Sequence, residues 1–264
     1  MHMGPAASQD QDAVQWYNRG LELLRIGRAK EASECFDRAI AADPNLVDAW
    51  VNKGAALHGL GRTKEALEFY QKAIKMDPNH AEAWCDEGVA LFETGRLQEA
   101  LESYDKATRI DNGLALAWSN RGLVLRKLGR FKEAVESYDK AIGIDPEFAG
   151  AWVNKGVALS EAGKLREAIE CYSKAITIAP DYLEAWYNKG VSLLDLGSFR
   201  EALECLEKAS RMSPRDPDIW YNIGYALEKL GRCQEAEKSY DTVLRVDPSN
   251  KGALEAKKRF AQKH

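Results

Sequence analysis

The sequence predicts an all-α fold of seven antiparallel helix pairs followed by one further helix, and three observations predict it. Tryptophan recurs at one spacing: Trp16, Trp50, Trp84, Trp118, Trp152, Trp186 and Trp220 stand 34 residues apart. Helix breakers recur in the same register, with glycine at positions 8 and 15 of every unit and proline at position 32 of six units, Asn112 being the exception. Between these breakers the apolar residues follow a helical period, as at Trp50, Leu57 and Leu60.

With tryptophan at position 4, the repeats run 13–46, 47–80, 81–114, 115–148, 149–182, 183–216 and 217–250. A head, 1–12, precedes them and is expected to be disordered, with Met1 to Met3 reading as a cloning remnant. Within a repeat, glycine at position 15 suits the left-handed cap that ends a first helix. Proline at position 32 stops a second helix. Glycine at 8 and alanine at 20 are small where the two helices approach. The tryptophan and the residue at 24 (Phe36, Tyr70, Tyr104, Tyr138, Tyr172, Leu206, Tyr240) fill the space around them. One pair cannot bury its own apolar face, so neighbours must stack.

Positions 3 and 10, such as Ala49, Ala56, Ile219 and Ala226, are expected to touch the preceding repeat. In the first repeat they are Gln15 and Glu22, the polar face of a terminal unit, so the array is expected to begin there. Residues 251–264, KGALEAKKRFAQKH, read as a capping helix. Ala253, Leu254 and Phe260 are expected to cover the last repeat, while Lys251, Lys258, Arg259 and Lys263 face water. Gly143 and Gly150 fall at helical positions and mark the expected weakest interior joint.

The charges read as structural. Position 19 is always glutamate, from Glu31 to Glu235, in the first turn of the second helix, where the macrodipole favours an anion. Positions 22 and 26 offer i,i+4 pairs such as Glu68–Lys72 and Glu136–Lys140.

Composition narrows the function. The 264 residues carry 37 Lys+Arg against 41 Asp+Glu, a mild acidity that argues against a nucleic-acid binder. No 18-residue apolar run is present, and the first residues lack the apolar core of a secretion signal, so neither a membrane partner nor export is expected. Five scattered cysteines without a CxxC pair point to reduced thiols and a cytoplasmic location. Cys171 and Cys205 share position 23 of adjacent repeats, too far apart for a disulfide.

None of His2, His58, His80 and His264 has partners at metal-ligand spacing; His58 and Cys85 alone do not make a zinc site. Gly59 to Lys64 only echoes a phosphate loop, lacking its GK[ST] ending and a preceding strand. No nucleophile, base or metal set is present, so no enzyme, metal or cofactor is expected. The tail holds five basic residues and one acidic, read as cations near a helix C-terminus.

The order W-x3-G-x2-L, then Ala, aromatic, Ala and Pro, in seven registers over about nine tenths of the chain, resembles the tetratricopeptide repeat (TPR) family. That resemblance implies a right-handed superhelical solenoid with the first helices on its concave face. It places ligand contacts at positions 2, 5, 6, 9, 12 and 13.

Position 6 here is Asn18, Asn52, Asp86, Asn120, Asn154, Asn188 and Asn222. A primary amide can both donate to and accept from a peptide backbone, though asparagine here also belongs to the scaffold consensus. Beside it stand Tyr17, Val51, Val153, Tyr187 and Tyr221 at position 5 and Tyr225 at position 9, so the C-terminal end is the most aromatic. Acids at position 2 (Asp48, Glu82, Glu184, Asp218) suit a partner with some basic residues. The lysines with which some members grip a C-terminal carboxylate are absent at positions 2 and 5. The implied function is a protein–protein interaction scaffold or adaptor that binds a peptide segment of a partner in the groove. The alternatives are a self-associating array, in place of the expected monomer, and a non-catalytic subunit of a larger enzyme or chaperone complex.

Overall fold

The computed structural model describes residues 5–261, and every regular element among them is an α-helix, fifteen in all. The chain divides into two units, 1–130 and 131–264. Unit 1 holds α1 (Pro5–Arg25), α2 (Ala29–Ala42), α3 (Val47–Gly59), α4 (Thr63–Met76), α5 (Ala81–Glu93), α6 (Leu97–Ile110) and α7 (Ala115–Lys127). Unit 2 holds α8 (Phe131–Ile144), α9 (Ala149–Glu161), α10 (Leu165–Ile178), α11 (Leu183–Asp195), α12 (Phe199–Met212), α13 (Pro217–Lys229), α14 (Cys233–Val246) and α15 (Lys251–Ala261).

First helices end as the glycines predict. In repeat 1 the Gly27 N–H donates to the Leu24 carbonyl (2.9 Å) and the Arg28 N–H to the Leu23 carbonyl (2.8 Å), the bond pair of a Schellman cap. All seven position-15 glycines sit at φ between +74° and +78°. The Asn112 exception costs the turn nothing: Trp118 Nε1 donates to the Asn112 carbonyl at 3.1 Å, as Trp50 does to Pro44 at 3.0 Å. That bond needs the carbonyl, not the proline ring.

Packing within a pair follows from the missing Cβ at position 8. A Cβ on Gly54 would stand 2.6 Å from the Tyr70 ring, and one on Gly156 would stand 2.5 Å from Tyr172. Alanines at positions 3, 10 and 20, such as Ala49, Ala56 and Ala66, are wholly buried. Within unit 1 the first helices α1, α3, α5 and α7 touch in succession, and α9, α11 and α13 do so in unit 2. The second helices make no comparable contact with one another among the described residues. Each stack therefore closes on its first-helix side, which is the inner face of that unit.

Four expectations are corrected. The head is helical from Pro5 on, where α1 begins, and residues 1–4 lie outside the described residues. Proline is at home in a helix's first turn, and no breaker follows it before residue 13. Leu254 does not cover repeat 7 but is 39% exposed, while Ala253 and Ala256 are fully buried. The reason is register. Lys257 of α15 pairs with Asp241, just as Lys53 pairs with Asp37 and Lys155 with Asp139 (2.6 Å), so α15 docks as a first helix would. Leu254 then occupies the tryptophan position, which faces a repeat's own second helix, and none follows α15 among the described residues. The side chains of Phe260 and Lys263 lie outside the described residues.

The expected i,i+4 pairs at positions 22 and 26 do not close among the described residues. In the first two repeats the position-26 cation leans over tryptophan instead, Arg38 at 4.3 Å from the Trp16 ring and Lys72 at 5.7 Å from Trp50. The ion pairs run between positions 16 and 19, as from Arg62 to Glu65 (2.6 Å) and Arg232 to Glu235 (2.6 Å). Arg62 thereby holds the Glu65 carboxyl below its ordinary range. The fourth correction concerns the inner face itself.

Candidate functional site

In unit 1, α1, α3, α5 and α7 carry Asn18, Asn52, Asp86 and Asn120 to the inner face, one per repeat. Asn18 is exposed and the other three are half-buried. Asn52 Nδ2 donates to the Asp48 carbonyl one turn back (2.9 Å) and to the Tyr17 hydroxyl of the preceding repeat (3.3 Å). Asn120 hydrogen-bonds the Tyr104 hydroxyl. The amide nitrogen therefore serves the scaffold, leaving Oδ1 of Asn52 as an acceptor. Burial raises the Tyr17 phenol, Asp48 adds to the rise, and the Asn52 bond opposes it.

In unit 2, α9, α11 and α13 place Asn154, Asn188 and Asn222 in the same way, all half-buried. Asn222 Nδ2 donates to the Asp218 carbonyl (3.0 Å) and to the Tyr187 hydroxyl (3.2 Å). Tyr225 is half-buried, edge-on to Phe199 at 6.4 Å, with Lys229 Nζ 5.2 Å from its ring centroid. Tyr221 stands apart from the expected aromatic set. It packs on Tyr240 at 5.7 Å, and a Cβ on Gly252 of α15 would meet its ring at 2.7 Å. Its partner is the C-terminal helix.

Val51 and Val153 lie beneath the inner face rather than on it. Each is only 5% exposed, and Cys85 and Ser119 at the same position are buried too. Position 5 turns into the seam between adjacent first helices, so a side chain reaches the surface there only when it is as long as tyrosine.

Three features escaped the sequence reading. The first is the pairing of position 25 with position 7 of the next repeat, Arg121 with Asp105 (2.6 Å) for example. One joint inverts it: Glu87 replaces the cation, and Gln71 and Ser103 bond its buried carboxylate in place of an aspartate. Aligning positions 7 and 25 would have revealed this. The second is the setting of Asp86. Burial pushes its carboxyl up to about 6, with His58 pulling it down, Glu82 pushing it up and His80 pulling it down. The third is a pocket of about 440 Å³ away from the inner face of unit 2, lined by Phe131, Val135, Leu159, Ala162, Lys132, Glu136, Lys164 and Glu167. Two repeats on, Leu230 occupies the place of Ala162, beside Phe199.

No metal-holding group of three or more His, Cys, Asp or Glu side chains occurs among the described residues. All five thiols are free, and burial pushes Cys85 up to about 12 and Cys171 to about 11. No described helix is long and apolar enough to cross a membrane.

Family comparison decides the lineage. Tetratricopeptide repeat signatures match residues 17–81 and 187–253, 115–148 and 149–182, and 69–102, with a further TPR repeat match at 88–129. The chain belongs to the tetratricopeptide repeat family. No curated protein matches it.

Among solved TPR structures it is similar to YrrB, described as a TPR protein with an unusual peptide-binding site. The two are 25% identical at a TM-score of 0.62, over 72% of this chain and 97% of that one. A MamA structure is 28% identical at a TM-score of 0.55, over 60% and 93%. PilF of Pseudomonas aeruginosa, 19% identical at a TM-score of 0.71 over 81% and 97%, shares the fold.

Proposed function

We propose that this TPR protein is a non-catalytic interaction scaffold whose inner face holds an extended peptide segment of a partner. The observation that carries the reading is the amide ladder at position 6. At Asn52 and Asn222 the nitrogen is fixed by a backbone carbonyl and a tyrosine of the preceding repeat. Such an amide is preorganised: its rotamer is held before a ligand arrives, and its Oδ1 is available to a peptide N–H. Backbone pairing of this kind tolerates many sequences, and specificity then falls to the neighbouring side chains. In unit 2 those are Tyr187 and Tyr225; in unit 1 they are Tyr17 and the acids Asp48, Glu82 and Asp86. YrrB, with its peptide-binding site, supports the same reading by likeness.

The test is peptide selection from a displayed random library on the full chain, then calorimetry of the selected peptide on the chain with Asn154, Asn188 and Asn222 replaced by Ala. One neutral hydrogen bond nets about 0.5–1.5 kcal/mol, so three together predict a loss of tenfold or more. Unchanged affinity in a triple variant that melts normally refutes the ladder.

A further inference from the structure

Repeats 2 and 3 meet in unit 1 through α3 and α5, and titratable groups gather at the inner side of that meeting. His58 Nε2 lies 2.6 Å from Glu93 Oε2. His80 Nε2 lies 2.9 Å from Asp48 Oδ1, its Nδ1 accepts the Ala83 N–H at 3.2 Å, and Glu82 Oε2 is 3.4 Å from that same nitrogen. Asp86 lies on α5 one turn from Glu82 and two turns from Glu93.

The groups around Asp86 come from every packed element. They are His58 of α3, His80 of the preceding turn, Glu82 and Cys85 of α5, Tyr70 of α4 and Tyr104 of α6. Helix α7 brings Asn120, bonded to Tyr104. Burial raises Tyr70, Tyr104 and Cys85, so these stay neutral throughout the physiological range. The patch thus holds two imidazoles, the side chain type that changes charge between about pH 5 and 8, beside a desolvated carboxylate.

We propose that the repeat 2–3 part of the inner face is a proton-operated charge switch: four carboxylates and two imidazoles gather there, and proton uptake by the cluster on mild acidification cancels the negative charge of the face. As regulation of a binding face, it rests on the reading given above; as a titrating cluster, it does not. Geometry couples the steps. Protonated His80 can no longer accept the Ala83 N–H that caps α5, and its Nδ1–H turns towards Glu82. Protonated Asp86 becomes a neutral donor, as the asparagines at this position are in the other six repeats, so it loses charge and regains the ladder's chemistry together. Burial, which holds the Asp86 carboxyl up at about 6, brings its titration into the histidine range.

The experiment is an NMR titration of the full chain between pH 4 and 8, following the His58 and His80 rings and the Asp86 carboxyl carbon, without peptide. The expected result is an Asp86 midpoint between pH 5 and 7, with Asp86→Asn lowering the His58 midpoint by several tenths of a unit. His80→Asn keeps a capping side chain at α5 and is expected to raise the Asp86 midpoint. A cationic nitroxide compared with its neutral analogue reads the face directly. Enrichment of the cation at α3 and α5 is expected to be at least twofold at pH 7.5 and absent at pH 5.5. An Asp86 midpoint near 4, a His58 midpoint indifferent to Asp86→Asn, or probe enrichment that does not change with pH overturns the proposal. Because neither readout uses a peptide, failure of the peptide reading leaves it intact, and its own failure leaves the amide ladder untouched.

Discussion

The inner faces of the two units are built on the same positions and carry different chemistry. In unit 1, repeats 2 and 3 present Asp48, Glu82, Asp86 and Glu93, with His58 paired to Glu93 and His80 to Asp48 and Glu82. In unit 2 the corresponding helices present Tyr187 and Tyr225, the first tied to Asn222 and the second to Phe199. The scaffold beneath is the same in both: glycine against an aromatic ring, buried alanines, and Asn Nδ2 fixed to a carbonyl four residues back. The repeat thus separates folding from recognition. Positions 8, 10 and 20 are closed by packing and position 15 by its left-handed backbone, while positions 2, 9 and 12 vary because most of those side chains are partly open to water. Four experiments sharpen or break that separation, the largest effect first.

Removing 251–264 tests whether unit 2 depends on α15. The loss strips packing from Tyr221, exposes the seats of Ala253 and Ala256, and breaks the Lys257–Asp241 pair. We expect a destabilisation of about 3–4 kcal/mol, seen as a lower Tm and faster amide exchange in α13 and α14. Unit 1 exchange should be unchanged. Equal loosening of α1 to α4 would show that the units are not separable in stability.

Asp86→Asn tests the cost of recognition chemistry on the scaffold. The folded carboxyl value, about 6, is raised above the ordinary 3.8. The ionised form is therefore the one the fold disfavours. The wild type has its full stability from this group below about pH 4 and loses it as pH rises through about 6. The variant should match the wild type at pH 4 and exceed it by about 2–3 kcal/mol at pH 7.5. A Tm difference that does not grow with pH would mean that Asp86 is already well solvated.

Ala162→Leu tests the pocket beside Phe131 between α8 and α9. Leucine stands at the same place in repeat 7, beside Phe199. Filling the site beside Phe131 should stabilise unit 2 by about 0.5–2 kcal/mol without affecting the inner face. Loss of stability would show that the pocket walls cannot accept a side chain and that its size is maintained by strain.

These comparisons also show what the sequence could tell. Fold, helix count and helix ends were legible because each rests on a residue with one physical role, such as Gly27 in its left-handed cap or Gly54 against Tyr70. The candidate site was legible in register but not in depth. Position 5 was assigned to the groove, yet Val51 and Val153 are buried, because depth depends on the side chain in the adjacent repeat. The elevated Asp86 carboxyl was out of reach for the same reason: its desolvation comes from α4, α5 and α6 together. Leu254 was misread because its covering residue would belong to a second helix, and none follows α15 among the described residues. Position 26 cations were paired with glutamate on spacing alone, although tryptophan rings lie within their reach.

The smallest effect concerns Gly143 and Gly150, which flank the turn between α8 and α9. The two are not equivalent. A Cβ on Gly143 would meet nothing within 4 Å, whereas one on Gly150 would stand 3.1 Å from Phe148 Cε2. Neither glycine has a positive φ, so the native backbone does not require it. Alanine at 143 should then stabilise α8 by about 0.5–1 kcal/mol, since it lowers the entropy of the unfolded chain and adds no clash. At 150 the same gain is opposed by the crowded phenylalanine ring, so Gly150→Ala should be close to neutral. Hydrogen exchange in the wild type should open residues 140–150 before the matching segment of repeat 2, and Gly143→Ala should slow that opening selectively. If exchange at 140–146 is unchanged in Gly143→Ala, the joint is not weakened by its glycines. The looseness would then belong to the packing between α8 and α9, where the Ala162 gap already lies.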